Sequence, residues 1–201
     1  MSRLFSAYVI VDWSAAAKPS TGADSVWIGV AKRDLRFRLT FESFNPPTRA
    51  EAEKKLADIL DDFKKRGERA LVGFDFPLGF PRGFAKALNL TGEHPWRAVW
   101  DQLDKMVKDK ADNTNNRFGV GSEINRRMTG GPFPFWGCPP KDALTTLQPK
   151  RTRAHGPDDL PEFRHADLAA KGAASIWKLY YNGSVGGQAI LGIPAARRLK
   201  L

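Results

Sequence analysis

Hydrophobic and polar positions alternate with a period of two over three early stretches. Residues 7–13 (AYVIVDW) and 25–32 (SVWIGVAK) are short apolar runs rich in β-branched and aromatic side chains, and each predicts a strand. Residues 36–43 (RFRLTFES) alternate cleanly, with Phe37, Leu39 and Phe41 on one face and Arg36, Arg38, Thr40 and Glu42 on the other. That is the pattern of a half-exposed antiparallel strand. The short link RDL between the second and third runs suits a hairpin, so a three-stranded meander is expected.

The period then changes. In NPPTRAEAEKKLADILDDFKKRGERA, Leu56, Ile59, Leu60 and Phe63 recur at i, i+3, i+4 and i+7. Thr48 followed by Glu51 reads as a capping box and Gly67 as the stop, which together predict an amphipathic helix packed on the sheet. RALVGFDFPLGFP follows, an apolar run that ends on Asp75 and is broken by Pro77. The order is β-β-β-α-β, and a helical crossover brings the fourth strand back parallel to the first. The expected class is α/β, with a mixed sheet and helices on its faces.

Residues 82–170 read differently, as an irregular helical and loop insertion within a single domain spanning 1–201. Helices are expected over 94–109 and 121–128. TGGPFPFWGCPPK, residues 129–141, predicts an irregular, partly buried loop that buries at least two of Phe133, Phe135 and Trp136, the third being a candidate to stack on an unpaired base. Residues 150–167 look exposed and mobile. The end of the chain offers a strand candidate in SIWKLYY, a Gly-rich turn and a helix from about Ser184.

Composition narrows the function classes. With 42% hydrophobic and 27% charged residues among 201, the chain is an ordinary globular one rather than a disordered one. Thirty-two Lys and Arg against 22 Asp and Glu leave a net charge of +10. That surplus fits a nucleic acid or nucleotide partner, or equally a solvated basic surface. One cysteine, Cys138, excludes an internal disulfide and a cysteine-rich zinc site. No signal peptide and no membrane-length apolar stretch are legible, so the expected location is cytoplasmic; oligomeric state is not readable.

Two acids carry the chemistry. Asp12 and Asp75 each close a strand, and on parallel neighbours they would share the C-terminal edge where open α/β sheets bind ligands. Singly, each is explained as a turn-shaping Asx residue. Together they suit Mg²⁺ or Mn²⁺, because two adjacent carboxylates ionise comfortably with a cation between them. Residues 14–24, with Ser14, Lys18, Ser20, Thr21 and Gly22, form a small polar turn suited to a phosphate beside Asp12, though without a P-loop pattern.

The same order, with an acid closing the first and fourth strands, resembles the ribonuclease H-like superfamily. VDWSAAAKPSTGADSVWIGVA, VGFDFPLGFP, NRFGVGSEINRRMTGGPFPFWGCP and SIWKLYYNGSVGGQAILGIP look like a bacterial group of predicted nuclease-like proteins classed as a domain of unknown function. The resemblance spans nearly the whole chain and implies Asp12 and Asp75 as metal-binding, catalytic acids. The superfamily's third acid comes from a later helix, and SVGGQAILGIPAARRLKL has no carboxylate. Glu123 is the candidate substitute; otherwise the site is incomplete or the chain is a C-terminally truncated fragment.

Glu123 stands beside Asn125, Arg126 and Arg127, so one helix would offer an acid and phosphate-binding groups, or simply a surface ion pair. Lys178 is a further phosphate candidate. NGSVGGQ would receive an anion at a helix N-terminus or be capped by Ser184. The histidines lack ligand spacing, Cys138 lacks a nearby His, and Trp96 with Trp100 reads as core. The expected function is metal-dependent hydrolysis of nucleic-acid phosphodiesters; the alternative is a non-catalytic nucleotide- or phosphometabolite-binding module.

Overall fold

The computed structural model describes residues 4–34, 36 and 38–199. The chain forms two compact units, one built from the chain up to Asp75 together with Asp109–Thr114, the other from Phe76–Lys108 and from Asn115 onward. Residues 82–170 therefore fall, apart from Asp109–Thr114, in a unit that also takes in Phe76–Pro81 and the C-terminal helix.

The first unit is a four-stranded mixed sheet with one long helix. Strands β1 (Ala7–Asp12), β2 (Trp27–Arg33), β3 (Leu39–Phe44) and β4 (Ala70–Phe74) lie in the order β3-β2-β1-β4. β1 pairs antiparallel with β2 and parallel with β4, and β2 pairs antiparallel with β3. The meander and the parallel return follow the expected order. The period of two in β1 places Ala7, Val9 and Val11 in the core and Tyr8, Ile10 and Asp12 on the opposite face.

That opposite face departs from the expected pattern. Phe41 is 70% exposed and Ile10 58%, and Tyr8, Leu39 and Leu71 are also exposed. In β3 the apolar residues Leu39 and Phe41 thus lie on an open face, where the ring of Phe41 leans over Gly29. Phe37, read as the first member of that apolar row, lies outside the described residues. The β2–β3 link is closed by Asp34, whose carboxylate accepts the amides of Arg36 and Arg38.

Helix α1 (Arg49–Lys65) contacts β2 and buries Ala52, Leu56 and Phe63. Its ends match the sequence signals. Thr48 accepts the Glu51 amide at 3.2 Å, and Gly67, at φ +68, ends the helix with Glu68 N donating to Phe63 O and Gly67 N to Lys64 O. These are the two bonds of a Schellman motif.

The second unit is helical and irregular. Its helices are α2 (Phe84–Ala87), α3 (Pro95–Met106), α4 (Arg117–Thr129), α5 (His165–Ala169) and α6 (Gly186–Arg198). α6 contacts α3 and α4 and is buried from Gly186 to Ala196 except at Gln188. Its core also holds Leu103, Ile124, Phe135, Leu147, Ile176 and Trp177. Phe133 and Phe135 are buried and Trp136 is half-buried, as the loop's composition implies.

Three expectations are corrected here. SIWKLYY forms no strand; Lys178 makes a lone parallel bridge to Trp136, flanked by Trp136 N to Trp177 O and Leu179 N to Trp136 O. The N-cap position of α6 is Val185 rather than Ser184, with no side-chain cap, and the Gly186 amide donates instead to Lys178 O. Residues 150–167 are largely exposed, as expected, but rather than hanging free they are tied down by the pairs Arg151–Glu162 and Arg153–Asp159 and by the Trp177 indole donating to Pro161 O. Among the described residues no helix is long and apolar enough to cross a membrane.

Candidate functional site

The parallel register pairs Val11 with Phe74, so Asp12, the last residue of β1, and Asp75, the first beyond β4, stand at the same end of neighbouring strands. Asp75 N donates to Val11 O at 3.0 Å, and Trp13 N donates to the Asp75 carboxylate at 2.8 Å. One oxygen of Asp75 therefore continues the ladder past the last strand residue. Trp13 is buried, its ring edge-on to Phe74, which fixes the chain at this point. Asp12 is exposed and lies opposite Trp27 across the antiparallel register.

The turn that follows Asp12 is held from below by a residue the sequence reading passed over. Arg49, at the first position of α1, is 2% exposed. Its guanidinium grips Asp109 through two bonds of 2.6 Å, and donates to Ser14 O, Ala16 O and Asn113 O. Asn113, also buried, accepts the Arg49 amide and donates to Lys18 O and Pro47 O. An arginine directly after an N-cap, and an Asn in the turn sequence DNTN, were the only signals available in the chain.

This packing changes the expected phosphate cradle. Ser14 donates its hydroxyl to Asp24 O and accepts the Ala16 amide. The Ser20 amide goes to Pro47 O and the Gly22 amide to Asn45 Oδ1. Three amides of this turn, those of Ala16, Ser20 and Gly22, are thus engaged within the unit. Lys18 remains exposed on this turn.

The other sequence candidates lie in the second unit. On α4, Glu123 is gripped by Arg126 through bonds of 2.7 and 2.8 Å and by Arg127 at 2.7 Å. The Arg126 guanidinium first, and Arg127 second, hold the Glu123 carboxyl down to about 2. Asn125 is fully buried; it donates to Phe135 O and Thr146 O and accepts the Phe135 amide, so it shapes the aromatic loop. Lys178 donates to Asn182 O at 2.6 Å. Cys138 is buried, and burial pushes its thiol up, away from a nucleophilic thiolate.

The arrangement thus brings Asp12 and Asp75 to one strand edge and engages Asn125 in the interior. No group of three or more His, Cys, Asp and Glu side chains able to hold a metal occurs among the described residues. No family model, curated protein or solved structure matches the chain.

Proposed function

We propose that this chain is a metal-dependent hydrolase of nucleic-acid phosphodiesters, working at the edge that carries Asp12 and Asp75, with a ribonuclease H-like arrangement of its first five elements. The observation that carries the reading is the placement of these acids at the C-terminal ends of adjacent parallel strands. The donor set fits Mg²⁺ or Mn²⁺ of the kind that keeps several waters and takes one or two protein carboxylates plus substrate phosphate. It does not fit a closed protein cage, which needs more ligands than the described residues of this edge supply.

Bound there, such an ion would activate water and stabilise the leaving oxygen. The chain's own residues do the rest. Asp12 and Asp75 hold the cation, Trp13's amide fixes the orientation of the Asp75 carboxylate, Arg49 holds the adjoining turn, and Lys18 supplies a positive charge for a backbone phosphate.

One observation favours a second reading. Asp75 already serves the fold through its bond to Trp13, as a turn-shaping acid would, and among the described residues no third carboxylate forms a metal-binding group with the pair. A non-catalytic module for a nucleotide or phosphometabolite would look the same. Cleavage assays on branched, duplex and single-stranded substrates, with Mg²⁺ or Mn²⁺ and with Asp12→Asn and Asp75→Asn, separate the two. Loss of cleavage in both variants supports the hydrolase. Wild-type cleavage that survives both, or none on any substrate, overturns it; nucleotide-induced thermal stabilisation without turnover then identifies the binding module.

A further inference from the structure

The second unit contains a cavity of about 830 Å³, within the range of roughly 300–1,000 Å³ typical of small-molecule sites. Its walls are unusually aromatic: Phe80, Phe84, Trp96 and Trp100 all line it. Phe80 and Phe84 stack with ring centroids 4.2 Å apart, and Trp96 meets Trp100 edge-on at 5.3 Å. The Trp100 indole N–H is taken by Leu78 O at 2.9 Å, so towards a ligand this residue offers its ring. Trp96 is 48% exposed, with the Arg97 guanidinium over its ring.

Two cations, Arg82 and Lys86, also line the cavity, both exposed, and among the described residues no carboxylate does. The polar remainder is Asn89 and Thr91. Asn89 adopts a left-handed backbone, φ +54, in a turn whose amide donates to Lys86 O. Its exposed side chain carries both a donor and an acceptor, the complement needed by the edge of a heterocyclic base. Flat apolar walls select a planar ring, uncompensated cations select an anion, and the amide and hydroxyl select a ring with hydrogen-bonding edges.

We propose that this cavity binds a nucleoside monophosphate, its base against the aromatic walls and its phosphate towards Arg82 and Lys86. The site is independent of Asp12 and Asp75. An aliphatic anion would satisfy the cations but not the rings, and an uncharged aromatic would leave the cations unused.

Calorimetric titration of the full chain with adenosine monophosphate, adenosine, inorganic phosphate and octanoate tests the proposal. Saturable binding of the monophosphate is expected, with each of the other three weaker by about tenfold or more. Arg82→Ala/Lys86→Ala should weaken the monophosphate about tenfold and leave adenosine unchanged, and Trp96→Ala should weaken both about tenfold. Trp96→Phe, which keeps a ring, should retain binding and so separates lost stacking from lost folding. Phosphate or octanoate binding as tightly as the monophosphate overturns the proposal, as does unchanged binding in both the double variant and Trp96→Ala. Asp12→Asn should leave this affinity unaltered; a loss there would remove the ligand from this cavity, whereas failed cleavage with intact binding bears only on the strand-edge hydrolase.

Discussion

The five N–H donors of the Arg49 guanidinium meet five acceptors: two oxygens of Asp109 and the carbonyls of Ser14, Ala16 and Asn113. A buried cation is tolerable only when paired and fully bonded, and removing one member leaves the other charge stranded. Arg49→Ala should therefore cost about 3–5 kcal/mol in urea denaturation. Arg49→Lys should recover little of it, because an ammonium has three donors from one point and cannot reproduce the planar fork. Losses below about 1 kcal/mol for both would show that the turn after Asp12 does not depend on this residue. Glu123 obeys a different balance. Arg126 and Arg127 lower its carboxyl to about 2 from an ordinary 4.5. A depressed folded pKa stabilises the native state above the unfolded value, and that contribution is lost as pH falls from about 4.5 towards 2. The Glu123 side chain is 31% exposed, so the contribution is that of a surface pair, below about 1 kcal/mol. The stability gap between wild type and Glu123→Gln, measured by urea unfolding, should be present at pH 6 and closed near pH 2; a gap independent of pH would assign it to something other than charge.

At the scale of elements, what could be read from the chain was what local patterning encodes. The alternation in residues 7–12, the capping pair Thr48 and Glu51, and Gly67 after the helical period all have their partners within a few residues, and β1 and α1 formed as their patterns imply. The placement of Asp12 beside Asp75 followed from the crossover rule, which needs only element order. Asp109–Thr114 could not be read the same way: its place in the first unit depends on Asn113 and Asp109 meeting Arg49 some 60 residues away. SIWKLYY has strand composition, yet its one pairing partner is Trp136 in a Pro-rich loop, which no periodicity marks. The Gly-rich turn before α6 was visible as a turn, but its reason was not. A Cβ on Gly186 would lie 2.7 Å from Lys178 O and closer still to Ile176 O, so backbone rather than a yielding side chain blocks it. Gly186→Ala should destabilise by about 3 kcal/mol, the upper part of the overpacking range. Gly131→Ala, where the added atom meets nothing within 4 Å, should stay within about 0.5 kcal/mol. Comparable thermal unfolding of the two variants would remove the close approach of Gly186 to residues 176–178 as the cause.

Across the whole molecule, the two kinds of cation behind the +10 charge enter ion pairs unequally. Arginine supplies nearly all the ion pairs described, among them Arg49 with Asp109, Arg126 and Arg127 with Glu123, Arg151 with Glu162, Arg153 with Asp159, Arg164 with Asp167, and Arg197 and Arg198 with Asp101 and Asp104. Lysine contributes Lys32 with Glu42. Bidentate forks hold carboxylates better than point charges do, so much of the positive surplus rests on lysines. A polyanion bound to such a surface is held by charge rather than by shape, and its affinity must fall steeply with salt as counterions are released. For a footprint of about four duplex phosphates, affinity should drop about a hundredfold between roughly 50 and 200 mM salt. Fluorescence anisotropy with a labelled duplex measures that slope directly. Chemical modification isolates lysine: reductive methylation keeps the charge and should leave binding intact, whereas acetylation removes it and should abolish binding. Affinity that ignores both salt and acetylation would mean that the basic surface is a solvated one and that any nucleic-acid contact is made by other groups.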